Sequence, residues 1–151
     1  MPADPFFLDT NGWLALLNAS DSLHSAASSA WVALLGRGAR VVLTDWVVAE
    51  TGNGLARSGA RSRFAAAVDL IRSSPRAELV HVSPTLFDRA IELHTRSFDK
   101  SWGLVDCASF LVMTIRGSLK PSPTIGTSSR LDSAISCRPD GALPRVRPPR
   151  H

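Results

Sequence analysis

Apolar positions along this chain fall into two kinds of stretch that take turns, and their order predicts a fold. Phe6-Phe7-Leu8 is short, bulky and continuous, as a strand buried on both faces is. Trp13, Leu14, Leu16 and Leu17 then recur at helical spacing, so residues 11–18 predict a short helix. A second helix is expected over residues 22–36, with Leu23, Ala26, Ala27, Ala30, Trp31, Leu34 and Leu35 on its apolar side, stopped by Gly36 and Gly38. Arg40 to Thr44 reads as a second buried strand, and Thr44 and Asp45 offer a cap for a helix from Trp46 to Arg57. That helix carries Trp46, Val47, Ala49 and Leu55 as apolar contacts, and Gly52 and Gly54 are expected to weaken or bend it. Residues 61–73 predict a fourth helix, with Phe64, Ala65, Val68, Leu70 and Ile71, ended by Ser74-Pro75. Glu78 to Val82 is a third strand. Ser83-Pro84 opens a fifth helix that runs to about Thr95, with Leu86, Phe87, Ala90, Ile91 and Leu93 inward. After a polar link, residues 103–116 form the most apolar helix of the chain, ended by Gly117. Strands alternating with helices give βαβ units, hence an α/β fold with a mainly parallel sheet and right-handed crossovers.

The pattern stops at Gly117. Residues 118–151 hold 6 of the chain's 10 prolines, no Phe or Trp, and only scattered aliphatics. Pro123 to Thr127 is the one weak candidate for a closing strand, and the segment from Pro139 onward reads as disordered or extended. The division expected is therefore a domain at 1–117 and an atypical Pro/Arg-rich tail at 118–151. Charge follows the same division. Residues 1–117 carry 11 Lys/Arg and 11 Asp/Glu, whereas the tail carries 6 and 2, which accounts for the whole net charge of +4. The high pI thus says nothing of a nucleic-acid patch on the folded body. No apolar run approaches the roughly 18 residues of a membrane span, and the N-terminus has no basic leader. Cys107 and Cys137 make no CxxC pair, which suits a reducing, cytoplasmic setting without disulfides.

Three carboxylates recur at comparable places in this frame. Asp9 ends the first strand, at the carboxyl edge where open α/β sheets hold ligands. Glu50 lies one turn into the helix after the second strand. Asp106 interrupts the most apolar helix between Val105 and Ala108, with no Lys or Arg three or four residues away. Taken alone, each acid reads as well as a helix cap or a solvated side chain. Taken together they point to one pocket. Carboxylates about 4–5 Å apart repel by roughly 1 kcal/mol per pair in water and ~4 at an effective dielectric of 20. Such a cluster needs a cation or protons. An all-oxygen donor set with no Cys or His selects Mg²⁺ or Mn²⁺, whose chemistry is water activation and in-line displacement at phosphate.

The residues around these acids carry a family resemblance. Phe-Leu-Asp9-Thr-Asn-Gly-Trp-Leu-Ala-Leu, Leu-Thr-Asp-Trp-Val-Val-Ala-Glu50-Thr and Asp-Lys-Ser-Trp-Gly-Leu-Val-Asp106-Cys-Ala-Ser-Phe resemble the three acidic motifs of PIN domains. They are most similar to the VapC-type toxins of bacterial toxin–antitoxin pairs, over about residues 5–117. The resemblance implies a three-layer α/β/α sandwich and a Mg²⁺- or Mn²⁺-dependent endoribonuclease, with Asp9, Glu50 and Asp106 as metal ligands and catalytic residues. It also implies an RNA substrate, a cognate antitoxin that blocks the acidic pocket, a homodimer, a cytoplasmic setting and no membrane. The departure is at the C-terminus. The family continues with a strand, a Thr-x-Asp-like motif, an aromatic and a last short strand, which leaves the closing strands here missing or altered. Asp132 is the nearest stand-in for a fourth acid and Asp140 a weaker one. A shifted reading frame after Gly117 would produce such a break. The alternative function is a catalytically impaired remnant that still binds its antitoxin.

Other signals are weaker. Gly52, Gly54 and Gly59 do not lie between a strand and a helix start, so they make no dinucleotide loop. Asp9-Thr-Asn11 lacks the second aspartate of dehalogenase-like phosphatases. His24, His81 and His94 read as surface or boundary groups, Ser109 as bonded to its own helix, and Asp99 as a helix cap or a support for the site. Arg57, Arg61 and Arg63 suit either a solvated face or contact with a phosphate backbone.

Overall fold

The computed structural model describes residues 4–116 and the backbone of a two-residue strand at Lys120–Pro121. In chain order the elements are β1 (Phe6–Phe7), α1 (Thr10–Leu17), α2 (His24–Gly36), β2 (Val41–Thr44), α3 (Asp45–Gly54), α4 (Arg61–Ser73), β3 (Ala77–Val80), α5 (Pro84–Arg96), α6 (Leu104–Ile115) and β4 (Lys120–Pro121). The strands form one sheet in the order β3-β2-β1-β4. Every pairing is parallel, with Phe6 opposite Val41 and Lys120, and Val41 opposite Ala77. All four residues of β2 are buried, so helices cover both faces of the central strand, as an α/β sandwich requires.

The elements stand where local chemistry stops and starts them. Thr44 caps α3 through Val47 N–H at 3.2 Å, and Ser83 caps α5 through Leu86 N–H at 3.2 Å with Pro84 at its first position. Between α2 and β2 the chain reverses at Gly38, whose φ of +75° only glycine adopts without strain. The core is laid down by β1, β2 and α6. Phe6 meets Trp31 edge-on at 5.9 Å, and Trp102 meets Phe110 at 5.0 Å. Full burial of a side chain such as Phe6 contributes about 1.5–3 kcal/mol. α3 runs unbroken to Gly54, and Gly52 has a packing reason: a Cβ there would lie 3.0 Å from the Phe64 ring of α4.

Several expectations are corrected. Leu23 is the N-cap residue of α2 and is exposed, not on the apolar side of that helix. Leu70 is 67% exposed, because α4 turns Phe64, Ala67, Val68 and Ile71 inward and Leu70 lies on the other side. On α5 the inward stripe is Leu86, Ala90 and Leu93, at helical spacing. Phe87 and Ile91, one position ahead of Leu86 and Ala90, are 43% and 41% exposed. Phe87 packs edge-on against Trp46 of α3 at 5.7 Å. The chain after α6 does return to the sheet, but at Lys120–Pro121, before the stretch the apolar pattern favoured. A two-residue strand at the sheet edge tolerates a proline, which has no N–H to give to a ladder. Pro123–Thr127 lies outside the described residues.

Candidate active site at the carboxyl edge of the sheet

Because β1, β2 and β3 are parallel, their carboxyl ends share one edge. Asp9 stands two residues beyond β1 and is the N-cap of α1, its Oδ1 accepting from Gly12 N–H at 2.8 Å. Thr10 begins α1, and its hydroxyl donates to Oε2 of Glu50 across 40 residues of chain. α3 starts directly at the end of β2, so its first turns carry Glu50 back over the same edge. The structure thus joins the neighbour of Asp9 to Glu50. α6 packs against both β2 and α3.

Asp106 is in the first turn of α6, half-buried, and its Oδ2 accepts from Gly103 N–H at 2.8 Å. This is the reaching-back half of a capping box, which fixes the carboxylate at the start of the helix. The next side chain, Cys107, is wholly enclosed. Burial first, and the charge of Asp106 second, push its thiol from 9.0 up to about 11. Ser109, also buried, donates to Val105 O at 2.8 Å, so its hydroxyl serves its own helix. Thr51, beside Glu50, is buried, and its hydroxyl has no hydrogen-bond partner among the described residues.

The three acids are not gathered into one preformed cage. Among the described residues no three His, Cys, Asp or Glu side chains are grouped so as to hold a metal ion. Each carboxylate is met by a nearby donor instead: Gly12 N–H, the Thr10 hydroxyl and Gly103 N–H. Mutual repulsion favours that arrangement over convergence. The donor chemistry nevertheless fits Mg²⁺ or Mn²⁺. The acids offer oxygen only, and Mg²⁺ keeps several waters and takes one or two carboxylates rather than a closed protein cage.

The comparisons with known proteins decide the family. The PIN-domain family profile matches residues 6–118. The chain belongs to the PIN-domain family. Two curated PIN-domain relatives, each described as the 23S rRNA-specific endonuclease VapC20 and from two strains of Mycobacterium tuberculosis, are 35% identical over 112 residues, which is 74% of this chain and 82% of theirs. The crystal structure of Mycobacterium tuberculosis VapC20, described as a sarcin-ricin loop cleaving toxin, superposes with a TM-score of 0.71 and 31% identity. That likeness covers 83% of this chain and 94% of that chain.

The remaining candidates are placed as follows in the PIN domain. Asp99 does not cap α6. Gly103 is the N-cap of α6, and Asp99 pairs with Lys100 at 3.2 Å. His24 bonds Ala15 O at 2.8 Å through Nδ1, and His81 faces Asp45 at 3.1 Å. His94 is exposed in the last turn of α5, and Arg57, Arg61 and Arg63 are exposed. Asp132 and Asp140 lie outside the described residues. Sequence reasoning missed the role of Thr10. A hydrogen bond between positions 40 apart leaves no local signal.

Proposed function

We propose that this PIN domain is a Mg²⁺- or Mn²⁺-dependent endoribonuclease and the toxin of a type II toxin–antitoxin pair. The observation that carries the reading is the 35% identity to a 23S rRNA-specific endonuclease over 112 residues, beside a family match over residues 6–118 that spans all three acids. Asp9, Glu50 and Asp106 would hold the metal and are the proposed catalytic residues. A bound ion would supply positive charge for the phosphate oxygens and would lower the pKa of water, so that hydroxide is available for attack near neutral pH. Asp9 and Asp106 are pre-oriented by backbone N–H groups, so their positions depend on the fold and not on the ligand. Thr10 fixes the rotamer of Glu50. The substrate class proposed first is structured ribosomal RNA of the kind its relatives cleave, with an antitoxin as partner, a homodimer as assembly and the cytoplasm as setting. No helix among the described residues is long and apolar enough to cross a membrane.

A second reading is favoured by one observation. The family match stops at residue 118, where the composition changes, so an impaired remnant that still binds antitoxin is the competing proposal. One assay separates them. The full chain is incubated with a ribosomal hairpin RNA and with an unrelated RNA, in Mg²⁺, in Mn²⁺ and in EDTA. A metal-dependent endonuclease cuts the hairpin in either metal and not in EDTA. Intact RNA in both metals, with retained antitoxin binding, would establish the remnant.

A further inference from the structure

We infer that the cavity between β3, α5 and α6 is a phosphate-binding site built around Arg89. The cavity measures about 220 Å³, and its polar lining is His81, Ser83, Thr85, Arg89 and Arg116, with aliphatic walls from the same elements. The lining contains no carboxylate. Two of its basic side chains already have partners. Arg116 is clamped by both oxygens of Glu78, and His81 faces Asp45 at 3.1 Å. Arg89 is different. Its Nε and Nη2 are enclosed and have no hydrogen-bond partner, and no carboxylate among the described residues pairs with it. A guanidinium carries five N–H donors and no acceptor, so two enclosed, unanswered nitrogens on this half-buried side chain are costly unless an anion completes them.

The donor set favours a phosphate group. Arg89 offers a planar fork suited to two phosphate oxygens. Ser83 and Thr85 add hydroxyls. The Ser83 oxygen already accepts from Leu86 N–H, which leaves its proton to donate. The site is separate from the acids: Ile115 stands nine positions beyond Asp106 on α6, about 14 Å along the helix axis. It still borders the carboxyl end of β3, two strand spacings or about 10 Å across the sheet from β1. That is within reach of the same RNA strand, a few nucleotides from the one at the acids. The phosphate site stands independently of the nuclease reading, and only its use by an RNA strand rests on that reading.

The test titrates the full chain in EDTA with inorganic phosphate and, separately, with a 2′-O-methyl RNA hairpin, following the thermal unfolding midpoint. Phosphate at ten times its Kd should raise the midpoint by about 4 °C. Arg89→Met should remove the response, and Arg89→Lys, which keeps a point charge but not the fork, should weaken binding about tenfold. An Arg89-dependent response to the hairpin assigns the site to a strand phosphate. A response to inorganic phosphate alone assigns it to a free phosphate or a mononucleotide. If Arg89→Met does not fold, Thr85→Val serves, with weakened binding expected. Wild-type protein that answers neither ligand, or Arg89→Met that shifts the midpoint as far as wild type does, overturns the site. A metal-free readout keeps this result separate from the fate of the nuclease proposal.

Discussion

At the scale of single residues, the carboxyl edge is held by side chains whose local role and chemical role coincide. Asp9 caps α1 and stands at the proposed site, so Asp9→Asn should keep the cap while removing the charge, whereas Asp9→Ala should also cost about 1 kcal/mol of stability. Thr51 is the opposite case. Its hydroxyl is enclosed and unpartnered, and that arrangement is unfavourable by roughly 1–3 kcal/mol. Thr51→Val, nearly the same shape, should therefore leave stability unchanged or raise it by about 1 kcal/mol in urea unfolding. A loss of more than that would show that the hydroxyl is bonded. Cys107 gives a pH dependence. Its thiol stays protonated in the fold until about pH 11, while in the unfolded chain it releases its proton near 9.0. Below pH 9 both states hold the proton and the group has no effect. Between 9 and 11 the unfolded state binds fewer protons, so stability falls as pH rises, by about 2–3 kcal/mol in full. Cys107→Ala in EDTA should flatten that part of the pH profile. An unchanged slope would place the titration elsewhere.

At the scale of elements, most boundaries were legible because the periodicity was strong and the punctuation was chemical. α4 occupies residues 61–73 as the apolar spacing required, and Ser83-Pro84 opens α5. Faces were harder to read than boundaries. α5 carries two adjacent apolar stripes, and spacing cannot choose between Leu86/Ala90 and Phe87/Ile91. Tertiary contact chose the first for the core and left Phe87 against Trp46. β4 had no apolar signal, since Lys120 and Pro121 form a strand only because β1 presents an open edge. The acids could be placed from sequence on successive units, but their actual partners could not, since Thr10 and Glu50 meet only in the folded chain. The turn at Gly38 yields a clean test. Nothing lies within 4 Å of a Cβ built there, while φ is +75°. Gly38→Ala should cost about 1 kcal/mol through backbone strain alone. A neutral or stabilised variant would mean that the turn can adopt a negative φ.

At the scale of the whole molecule, the chain is a PIN domain whose family match ends at residue 118 and whose basic excess follows it. The break in composition at Gly117 predicts that the encoding DNA, translated in another frame after about codon 117, yields an aromatic-containing strand pattern. Absence of such a pattern in both other frames would remove the frameshift hypothesis. The central proposal is that acids from three successive units act as one site, although each is met by its own donor in the folded chain. Groups that act as a unit are not additive in their effect on rate. The most direct measurement is the rate of RNA cleavage in Mg²⁺ by wild type, Asp9→Asn, Asp106→Asn and the double variant. The account predicts that each single change removes nearly all activity, at least about a hundredfold, and that the double variant is no slower than either. Single variants that cleave at the wild-type rate, or losses that simply multiply in the double variant, would contradict a shared site.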